Sequence, residues 1–418
     1  MNDAPRIFLK PKEEKEVVHG FPWVFDNEIA YVKYFASDGS GRKDAPLSEC
    51  EVSDGSVCEV FTAAGGFIGT GIINRKSKIC VRMLASLHAD KIVENTKAFI
   101  EKRIRDASNM RRIRYGERDS YRLVFAEADL LPGLIVERFA AADGKVYLVV
   151  QFLALACEVF REEITTALIK MCRPQGIYER SDAAVREKEG LEEKSGWIYG
   201  SGDDVILINE NGILFYVDIA QGQKTGFFLD QKDNRKAIMP FCHGKRVLDA
   251  FSHTGAFALC AAFAGAREVV AAEISEDAVS MIEKNAALNK KEGVVKTVRA
   301  DVFDLLKKYE ETGETFDVIV LDPPAFTKSA KNIQKAYGGY KEINLRAMRI
   351  LGEGGILISC SCSAFFDSNT FYDMLMHAAF SSGRRVQVLE KRGAGVDHPI
   401  LLGYERSEYL KCAVARVL

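Results

Sequence analysis

Residues Phe316–Phe326 read Phe-Asp-Val-Ile-Val-Leu-Asp-Pro-Pro-Ala-Phe, and residues Ile356–Ser363 read Ile-Leu-Ile-Ser-Cys-Ser-Cys-Ser. Each is a short apolar run that stops at polar side chains. Runs of this kind predict buried strands of a parallel sheet. Because the carboxyl ends of parallel strands meet at one edge of a sheet, we expect Asp322 and a cysteine thiol to lie close together there.

Outward from these runs, the chain after Gly244 alternates between predicted strands and helices. This rhythm is typical of an α/β, doubly wound sheet. Seven strands are predicted, and we expect one antiparallel edge strand to close the parallel sheet. The predicted strands are Arg246–Phe251, Glu268–Ile274, Val294–Asp301, Phe316–Asp322, Gly355–Cys362, Val386–Lys391 and Tyr409–Val417.

The first half of the chain has a different pattern. Up to about Leu84, short β-rich runs such as Val57–Phe61 and Phe67–Asn74 alternate with glycine-rich turns and predict a small barrel or sheet. A helix is predicted from about His88 to Arg118. A central α+β unit follows, with strands at Val146–Leu153, Gly176–Tyr178 and Val205–Ile208 and a helix at Leu155–Met171. We therefore expect domains at 1–84, 85–205 and 206–418.

Composition excludes several classes of protein. A chain of 418 residues with 47% hydrophobic and 28% charged residues is expected to fold into two or three domains. Its net charge of −2 indicates no partner by bulk charge. No signal peptide and no apolar run of roughly 18 residues is found, so we expect a cytoplasmic protein. The ten cysteines are expected to be reduced thiols, and their spacing predicts no metal site.

Two segments are locally basic. Lys97–Arg118 holds eight Lys and Arg residues against three acids, and Thr327–Lys341 holds four Lys and no acid. A solvated surface explains either segment. Contact with nucleic-acid phosphates is the alternative, because like charges without acidic partners repel one another until something neutralises them. The residues that we expect to bind substrate in this way are Arg111, Arg112, Arg114 and Lys328.

Four acids stand at the ends of four successive predicted strands: Asp249, Glu273, Asp301 and Asp322. Buried carboxylates are costly without partners, so packing explains them poorly. The turn after Asp249 has a single glycine, Gly255, where a dinucleotide-binding fold needs a Gly-x-Gly-x-x-Gly pattern. An acid there would repel a pyrophosphate and suit a cationic amino-acid group. Glu273 suits a ribose and Asp301 an adenine amine, which together predict S-adenosylmethionine.

At this point the sequence resembles a known family. Asp249–Gly255, Glu273, Asp301 and Asp322–Phe326 resemble the class I S-adenosylmethionine-dependent methyltransferases. More closely, the chain is similar to the bacterial 23S ribosomal RNA cytosine-C5 methyltransferases with an N-terminal PUA domain, and the similarity runs nearly end to end. The further motifs that carry it are Gly20–Phe25, Glu127–Arg138, Glu179–Asp182, Glu189–Leu191 and Gly222–Arg235. Two departures are Leu131, where glycine is usual, and His253, where an aromatic residue is usual.

The resemblance implies a PUA-like RNA-binding domain, S-adenosylmethionine as cofactor and 23S ribosomal RNA as partner. It also implies a homodimer, because relatives tend to pair. Further side chains are assigned to the cofactor site on this basis: Phe251, Thr254, Ile274, Val302, Gln231 and Arg235.

The resemblance places a nucleophile at Cys362, although regular strand alternation leaves Cys360 as an alternative. A thiolate that adds to carbon 6 of cytosine makes carbon 5 nucleophilic. Asp322 would hydrogen-bond the pyrimidine edge and Phe326 would stack on the ring. Ala325 stands where some RNA cytosine methyltransferases have a second cysteine, so another group must take the carbon 5 proton.

Three other functions are compatible with parts of this pattern. An exocyclic-amine methyltransferase would use the Asp322-Pro-Pro segment without a thiol. A nicotinamide oxidoreductase would share the sheet but lacks the glycine pattern. A non-catalytic RNA-binding factor would not need the intact acids and cysteine.

Overall fold

The computed structural model describes residues 4–327 and 330–418. Its backbone groups into two units. The N-terminal unit contains the residues up to Ile206, together with Asp218–Phe227 and Val396–Ser407. The C-terminal unit contains Leu207–Val217, Phe228–Gly395 and Glu408–Leu418. The catalytic segments predicted above therefore lie in the second unit, while the domain boundaries predicted from the sequence stay predictions.

The N-terminal unit begins with a sheet of seven strands. These are β1 (Arg6–Leu9), β2 (Trp23–Phe25), β3 (Ile29–Phe35), β4 (Arg42–Ala45), β5 (Val57–Phe61), β6 (Phe67–Ile73) and β7 (Ile79–Ala85), with one short helix α1 (Glu14–Val18). Their order across the sheet is β2-β7-β6-β5-β1-β3-β4. Alternation of buried and partly exposed residues along β1 and β3 shows why one face packs on an apolar core.

A second sheet of five strands follows in the same unit, in the order β12-β11-β10-β9-β8. Its elements are α2 (Ala89–Glu94), α3 (Thr96–Arg112), β8 (Tyr121–Phe125), β9 (Leu134–Ala140), β10 (Val146–Phe152), α4 (Leu155–Glu158), α5 (Arg161–Cys172), β11 (Gly176–Ser181) and β12 (Lys194–Gly200). The long helix predicted for His88–Arg118 is divided, because Asn95 leaves the helical region with φ −134° and ψ 39°. The helix ends at Arg112, and the one predicted for Leu155–Met171 is also divided.

A buried ion-pair network joins these two sheets. Arg82 of β7 donates to Glu127 Oε1 at 2.8 Å and to Glu189 Oε1 at 2.9 Å. Trp23 Nε1 also donates to Glu127 Oε1 at 2.9 Å, and Ser77 Oγ donates to Glu189 Oε1 at 2.7 Å. All three charged side chains are buried. The network neutralises charges of both signs inside the N-terminal unit.

The remaining elements are the hairpin β13 (Val205–Glu210) and β14 (Ile213–Asp218), followed by the large sheet and its helices. These are α6 (Lys232–Ile238), β15 (Arg246–Ala250), α7 (Ala256–Phe263), β16 (Glu268–Glu273), α8 (Glu276–Leu288), β17 (Val295–Arg299), α9 (Val302–Thr312), β18 (Phe316–Leu321), α10 (Ile333–Ile350), β19 (Leu351–Ser361), α11 (Ser368–Ser382), β20 (Val386–Arg392) and β21 (Lys411–Val417). The predicted doubly wound sheet of seven strands is confirmed.

The order across this sheet is β17-β16-β15-β18-β19-β21-β20. Strands β15 to β19 pair in parallel. The prediction of an antiparallel strand at the edge is wrong. Strand β21 runs antiparallel to both β19 and β20 and lies between them, so the edge strand β20 shares the direction of the others. The last strand of the chain therefore borders β19, which delivers the cysteines.

One face of the sheet packs on α9, α10 and α11 through a large apolar core. Tyr340, Phe366 and Phe371 of this core are completely buried, and each contributes about 1.5–3 kcal/mol by leaving water. Within residues 4–327 and 330–418, no helix has the length and apolar character needed to cross a membrane.

Candidate active site

The turn between β15 and α7 forms the centre of the candidate site. Phe251, His253 and Gly255 all have positive φ, at 63°, 52° and 84°. A Cβ on Gly255 would lie 3.1 Å from Ile282, so both the backbone conformation and the space favour glycine there. Three left-handed residues in five positions bend the chain sharply at the carboxyl end of β15. This bend exposes backbone at the start of α7 where a ligand can approach.

Asp249 lies below this turn and is buried. Its Oδ2 accepts hydrogen bonds from Ser252 Oγ at 2.6 Å and from the backbone N–H of Ala258 at 2.9 Å. Its Oδ1 is buried and has no hydrogen-bond partner among the described residues. Burial raises the pKa of Asp249 to about 7. The hydroxyl of Thr254 is likewise buried without a partner there. Asp249 Oδ1 and the Thr254 hydroxyl are therefore two buried polar atoms beside one turn that a ligand could hydrogen-bond.

Glu273 ends β16 and is held by backbone N–H groups. Its Oε2 accepts from His253 N at 2.9 Å, and its Oε1 accepts from Ile274 N at 2.9 Å and Ser275 N at 3.2 Å. These bonds orient the carboxylate and leave it further lone pairs. The side chain of Ile274 is exposed next to this carboxylate, so it could form an apolar wall of a ligand site.

Asp301 and Val302 form the start of α9. The Oδ1 atom of Asp301 accepts from Phe303 N at 2.8 Å and caps the helix. Asp301 is exposed, whereas Val302 is buried. The capping role explains Asp301 without a ligand, so its part in cofactor binding stays a prediction.

Asp249, Glu273 and the turn after β15 fit S-adenosylmethionine. The unpartnered Oδ1 of Asp249 and the hydroxyl of Thr254 are acceptors suited to an ammonium group, and the oriented Glu273 is suited to a ribose hydroxyl pair. The positive charge of Arg235 lies close enough to lower the pKa values of Asp249 and Asp322, against the larger effect of burial. The Arg235 side chain is fully buried and forms a two-pronged ion pair with Glu210, at 2.6 and 2.8 Å, so its assignment to the cofactor stays a prediction.

Asp322 follows β18 and is oriented by a chain of amides. Gln231 Nε2 donates to Asp322 Oδ1 at 2.8 Å, Asn234 Nδ2 donates to Gln231 Oε1 at 2.7 Å, and Arg392 Nε donates to Asn234 Oδ1 at 2.8 Å. Burial, followed by repulsion from the nearby Asp230 carboxylate, raises the pKa of Asp322 to about 7. Gln231 thus contacts the acid of the Asp-Pro-Pro segment.

The two cysteines of β19 have different surroundings. Cys360 is completely buried and faces Cys412 across the strand pair. A hydrogen bond with Cys412 and burial raise the pKa of Cys360 well above its ordinary value. Cys362 follows the last residue of β19 and is half-buried, with its Sγ 3.9 Å from the carbonyl oxygen of Pro323. Of the two, Cys362 is the thiol beside the Asp-Pro-Pro segment.

A lysine that the sequence analysis did not select contacts the chain on either side of Cys362. Lys411 of β21 is buried and is paired in register with Ser361. Its Nζ donates to the carbonyl oxygens of Ser363 and Tyr409, both at 2.8 Å. A lone lysine in an apolar strand carries little signal in a sequence, because only strand pairing shows what it faces.

Phe326 packs among aromatic rings. Its centroid lies 4.5 Å from that of Tyr340, 5.8 Å from Phe303 and 6.4 Å from Phe251. Part of the ring is therefore already covered, yet it remains half-exposed beside Asp322 in the chain. Stacking of Phe326 on a base stays a prediction.

The predicted basic strip on α3 is only partly exposed. Arg111 is completely buried, binds Asp129 through two bonds of 2.6 and 2.7 Å and donates to the carbonyl oxygen of Asp397. It cannot also face a phosphate, so the prediction for Arg111 is wrong in this structure. Arg112 and Arg114 are exposed and remain available.

The described part of the second basic segment, Thr327–Lys341, is mostly helical. Helix α10 begins at Ile333 and includes Lys335 and Lys341. The predicted phosphate contact Lys328 lies outside the described residues. The exposed Lys331 and Lys335 leave two cations at the start of this helix.

Comparison with known proteins gives matches over the whole chain. Residues 164–391, more than half of it, match a family described as S-adenosylmethionine-dependent methyltransferases, and residues 7–86 match a PUA-like domain. The chain is 38% identical over 414 residues to the ribosomal RNA large subunit methyltransferase I of Aeromonas salmonicida, covering 98% of each chain. It is 37% identical over 417 residues to the same-named protein of Tolumonas auensis, covering 99% of each.

Solved structures share the fold. A protein of Streptococcus mutans described as a SAM-dependent methyltransferase superposes with a TM-score of 0.77 at 21% identity, over 98% of this chain and 99% of that one. A second methyltransferase, crystallised with S-adenosylhomocysteine (SAH), superposes with a TM-score of 0.78 at 21% identity and the same coverage.

Proposed function

Because the chain belongs to the family of S-adenosylmethionine-dependent methyltransferases and carries a PUA-like domain, we propose that it methylates carbon 5 of a cytosine in large-subunit ribosomal RNA through a covalent adduct with Cys362. The relatives named above are large-subunit ribosomal RNA methyltransferases, which supports the substrate class. One observation carries the chemistry. The half-buried thiol of Cys362 lies 3.9 Å from the carbonyl of Pro323, next to an acid of raised pKa.

S-adenosylmethionine is the cofactor of this family, and when bound it supplies an electrophilic methyl group. The residues that would hold it are those of the turn after β15 and of the end of β16. Asp249 and Thr254 offer unpartnered acceptors, and Glu273 offers an oriented carboxylate. Ile274 would give an apolar wall.

Carbon 5 of cytosine is too poor a nucleophile to take a methyl group unaided. In the proposed reaction, the thiolate of Cys362 forms a bond to carbon 6, and the ring electrons move so that carbon 5 becomes nucleophilic. A proton on the ring nitrogen beside the carbonyl would stabilise this adduct. Asp322 can supply that hydrogen bond because its raised pKa keeps a large share of the carboxyl protonated near neutral pH.

Carbon 5 then takes the methyl group, a base removes the proton left on carbon 5, and the electrons that return to the ring expel the Cys362 thiolate. Ring and thiol are restored, so the step balances. Ala325 cannot assist this release as a cysteine would. The target base must lie outside the helical stack, because both the Cys362 thiolate and the methyl donor have to reach its ring.

Trapping of the adduct tests the proposal. In RNA with 5-fluorocytosine, the proton that must leave carbon 5 is replaced by fluorine, so the protein should remain bonded to the RNA. We expect a denaturation-resistant complex that requires S-adenosylmethionine and maps by peptide mass spectrometry to Cys362. Bisulfite sequencing of large-subunit ribosomal RNA, with and without the gene, should show one lost 5-methylcytosine.

Two variants complete this test. Cys362→Ala should abolish trapping and methylation but keep SAH binding, because the thiol takes part in none of the contacts described for Asp249 and Glu273. Cys360→Ala should keep measurable activity, at a packing loss of about 1 kcal/mol. Normal methylation by Cys362→Ala would instead favour transfer to an exocyclic amine held by the Asp322-Pro-Pro segment.

A further inference from the structure

Lys411 is a buried ammonium group without a carboxylate partner. Its exposure is 3%, and the hydrogen bonds recorded for it in the described part of the chain go to no carboxylate. Its two hydrogen bonds go to the neutral carbonyls of Ser363 and Tyr409, at 2.8 Å each. A buried charge that lacks an opposite charge costs several kcal/mol. Hydrogen bonds to neutral carbonyls offset only part of that cost, so a nearby negative charge would stabilise the ammonium form of Lys411.

The sheet directs this ammonium group toward the end of β19. Because β21 runs antiparallel to β19, Lys411 stands opposite Ser361, one residue before Cys362. One of its hydrogen bonds reaches Ser363, one residue after Cys362. Lys411 is therefore paired with the residue before Cys362 and hydrogen-bonded to the residue after it. A negative charge on Cys362 would accordingly raise the pKa of Lys411, against the larger lowering by burial.

We infer that Lys411 is a positioning residue that stabilises the thiolate of Cys362 and holds the strand end from which that thiolate reacts. The inference rests on the proposed function, since a nucleophilic Cys362 is the group that uses a neighbouring ammonium charge. Asp322 and Lys411 would then act on opposite partners of one bond, the acid on the base and the lysine on the sulfur.

The other charged and titratable groups near Lys411 do not replace the thiolate. Asp367 caps α11 and its carboxylate accepts from Thr370 N at 2.7 Å. Glu408 precedes β21, and its attraction for Lys411 is smaller than that of Cys362. Tyr340 of α10 donates or accepts at Ser363 Oγ, and burial raises its pKa, so it stays neutral near pH 7.

The pH dependence follows from burial. Burial lowers the pKa of Lys411 to about 8, against the attraction of Cys362 and Asp367. Below that pH the lysine is charged and can stabilise a thiolate. Above it the lysine loses its proton, and its help is lost. The lysine is thus charged over the neutral range in which the thiol must ionise.

Alkylation of Cys362 by iodoacetamide tests the inference without RNA. The rate is measured by peptide mass spectrometry from pH 6 to pH 10 in the wild type, Lys411→Met and Lys411→Arg. We expect the midpoint for Cys362 to rise by about one pH unit in Lys411→Met. The rate at pH 7 should fall roughly threefold, because a less acidic thiol gives fewer but more reactive thiolates. Lys411→Arg should retain the wild-type midpoint within about 0.3 units, since it keeps the charge.

Two internal controls accompany the measurement. Cys172 is the other half-buried cysteine, and burial raises its pKa to about 11, so its alkylation should stay slow and equal in all variants. Lys391→Met removes an exposed lysine from the neighbouring strand β20 and should leave the Cys362 profile unchanged. Circular dichroism and thermal melting check the fold of each variant.

The outcomes separate a thiolate role from a purely structural one. An unchanged Cys362 midpoint in folded Lys411→Met overturns the inference, and so does a shift that appears equally in Lys391→Met. Unfolding of Lys411→Met with a normal profile in Lys411→Gln would also overturn it. A shifted profile combined with no trapping by 5-fluorocytosine RNA would defeat the proposed function while the interaction between Lys411 and Cys362 stands.

Discussion

Buried charged groups in the N-terminal unit and in the C-terminal unit differ in whether an opposite charge neutralises them. In the first, Arg82 is bonded to Glu127 and Glu189, and all three are buried as a neutralised set. Burial alone would raise the pKa of Glu189, but Arg82 and further hydrogen bonds outweigh it and lower the pKa. In the second, burial raises the pKa values of Asp249 and Asp322 to about 7.

This difference distinguishes charged groups that stabilise the fold by pairing with one another from charged groups that are available to bind a ligand. A complete ion-pair network satisfies its members and needs no outside partner. An acid whose pKa is raised, or a lysine whose pKa is lowered, is destabilised in its ionised form. Such groups are common at functional sites, which supports the prediction that the site lies at the carboxyl edge of the large sheet.

The largest effect is expected from breaking the neutralised set. Arg82→Met leaves Glu127 and Glu189 buried without their cation, which should lower the free energy of the first unfolding transition by about 3–5 kcal/mol. Urea denaturation followed by tryptophan fluorescence measures this. The triple variant with Glu127→Gln and Glu189→Gln should recover part of the loss. A loss under about 1 kcal/mol in Arg82→Met would remove the contrast between the two regions.

Removing a site acid should cost ligand affinity in place of stability. Glu273→Ala should weaken SAH binding by about 1–3 kcal/mol, because hydrogen bonds to a charged group are lost. Titration calorimetry measures the affinity. Glu276→Ala is the matched control, since Glu276 lies three residues later and pairs with Arg299 on the surface. Equal affinities for wild type and Glu273→Ala would exclude Glu273 from the site.

Asp322→Asn should stabilise the fold while it reduces methylation. The ionised carboxylate is disfavoured in the folded state, so the penalty is absent below about pH 4 and complete above about pH 7. We expect the variant to gain about 1–2 kcal/mol of unfolding free energy at pH 8 and little at pH 4. Denaturation at the two pH values measures this, and an equal effect at both would contradict the raised pKa.

Exposed charges should show the smallest effect. Charge reversal of Arg112 and Arg114 should weaken RNA binding severalfold and reduce the slope of log K against log salt by about two. SAH affinity should not change. Filter binding at several salt concentrations gives the slope. Arg111 is left unchanged, because its ion pair with Asp129 is buried and its loss would lower stability. An unchanged slope would return Arg112 and Arg114 to a solvated surface.

Local pattern was sufficient to predict the large sheet. Every strand from β15 to β21 overlaps the range predicted for it, because apolar runs bounded by polar turns are properties of neighbouring residues. The acids at strand ends were found in the same way, since parallel strands carry their last residues to one edge. Asn95 shows the limit of this approach, because a single residue divides what periodicity predicts as one helix.

Contacts between distant parts of the chain required the folded structure. Periodicity does not specify which strand lies beside which, so it put the antiparallel strand at the edge, whereas β21 lies between β19 and β20. That pairing places Lys411 opposite Ser361, the residue before Cys362, and places Cys360 opposite Cys412. Arg111 looked like an exposed cation until Asp129 and Asp397 supplied its partners. Strand ends follow from local chemistry, whereas burial and charge pairing depend on residues from 18 to 286 positions away, as the two partners of Arg111 show.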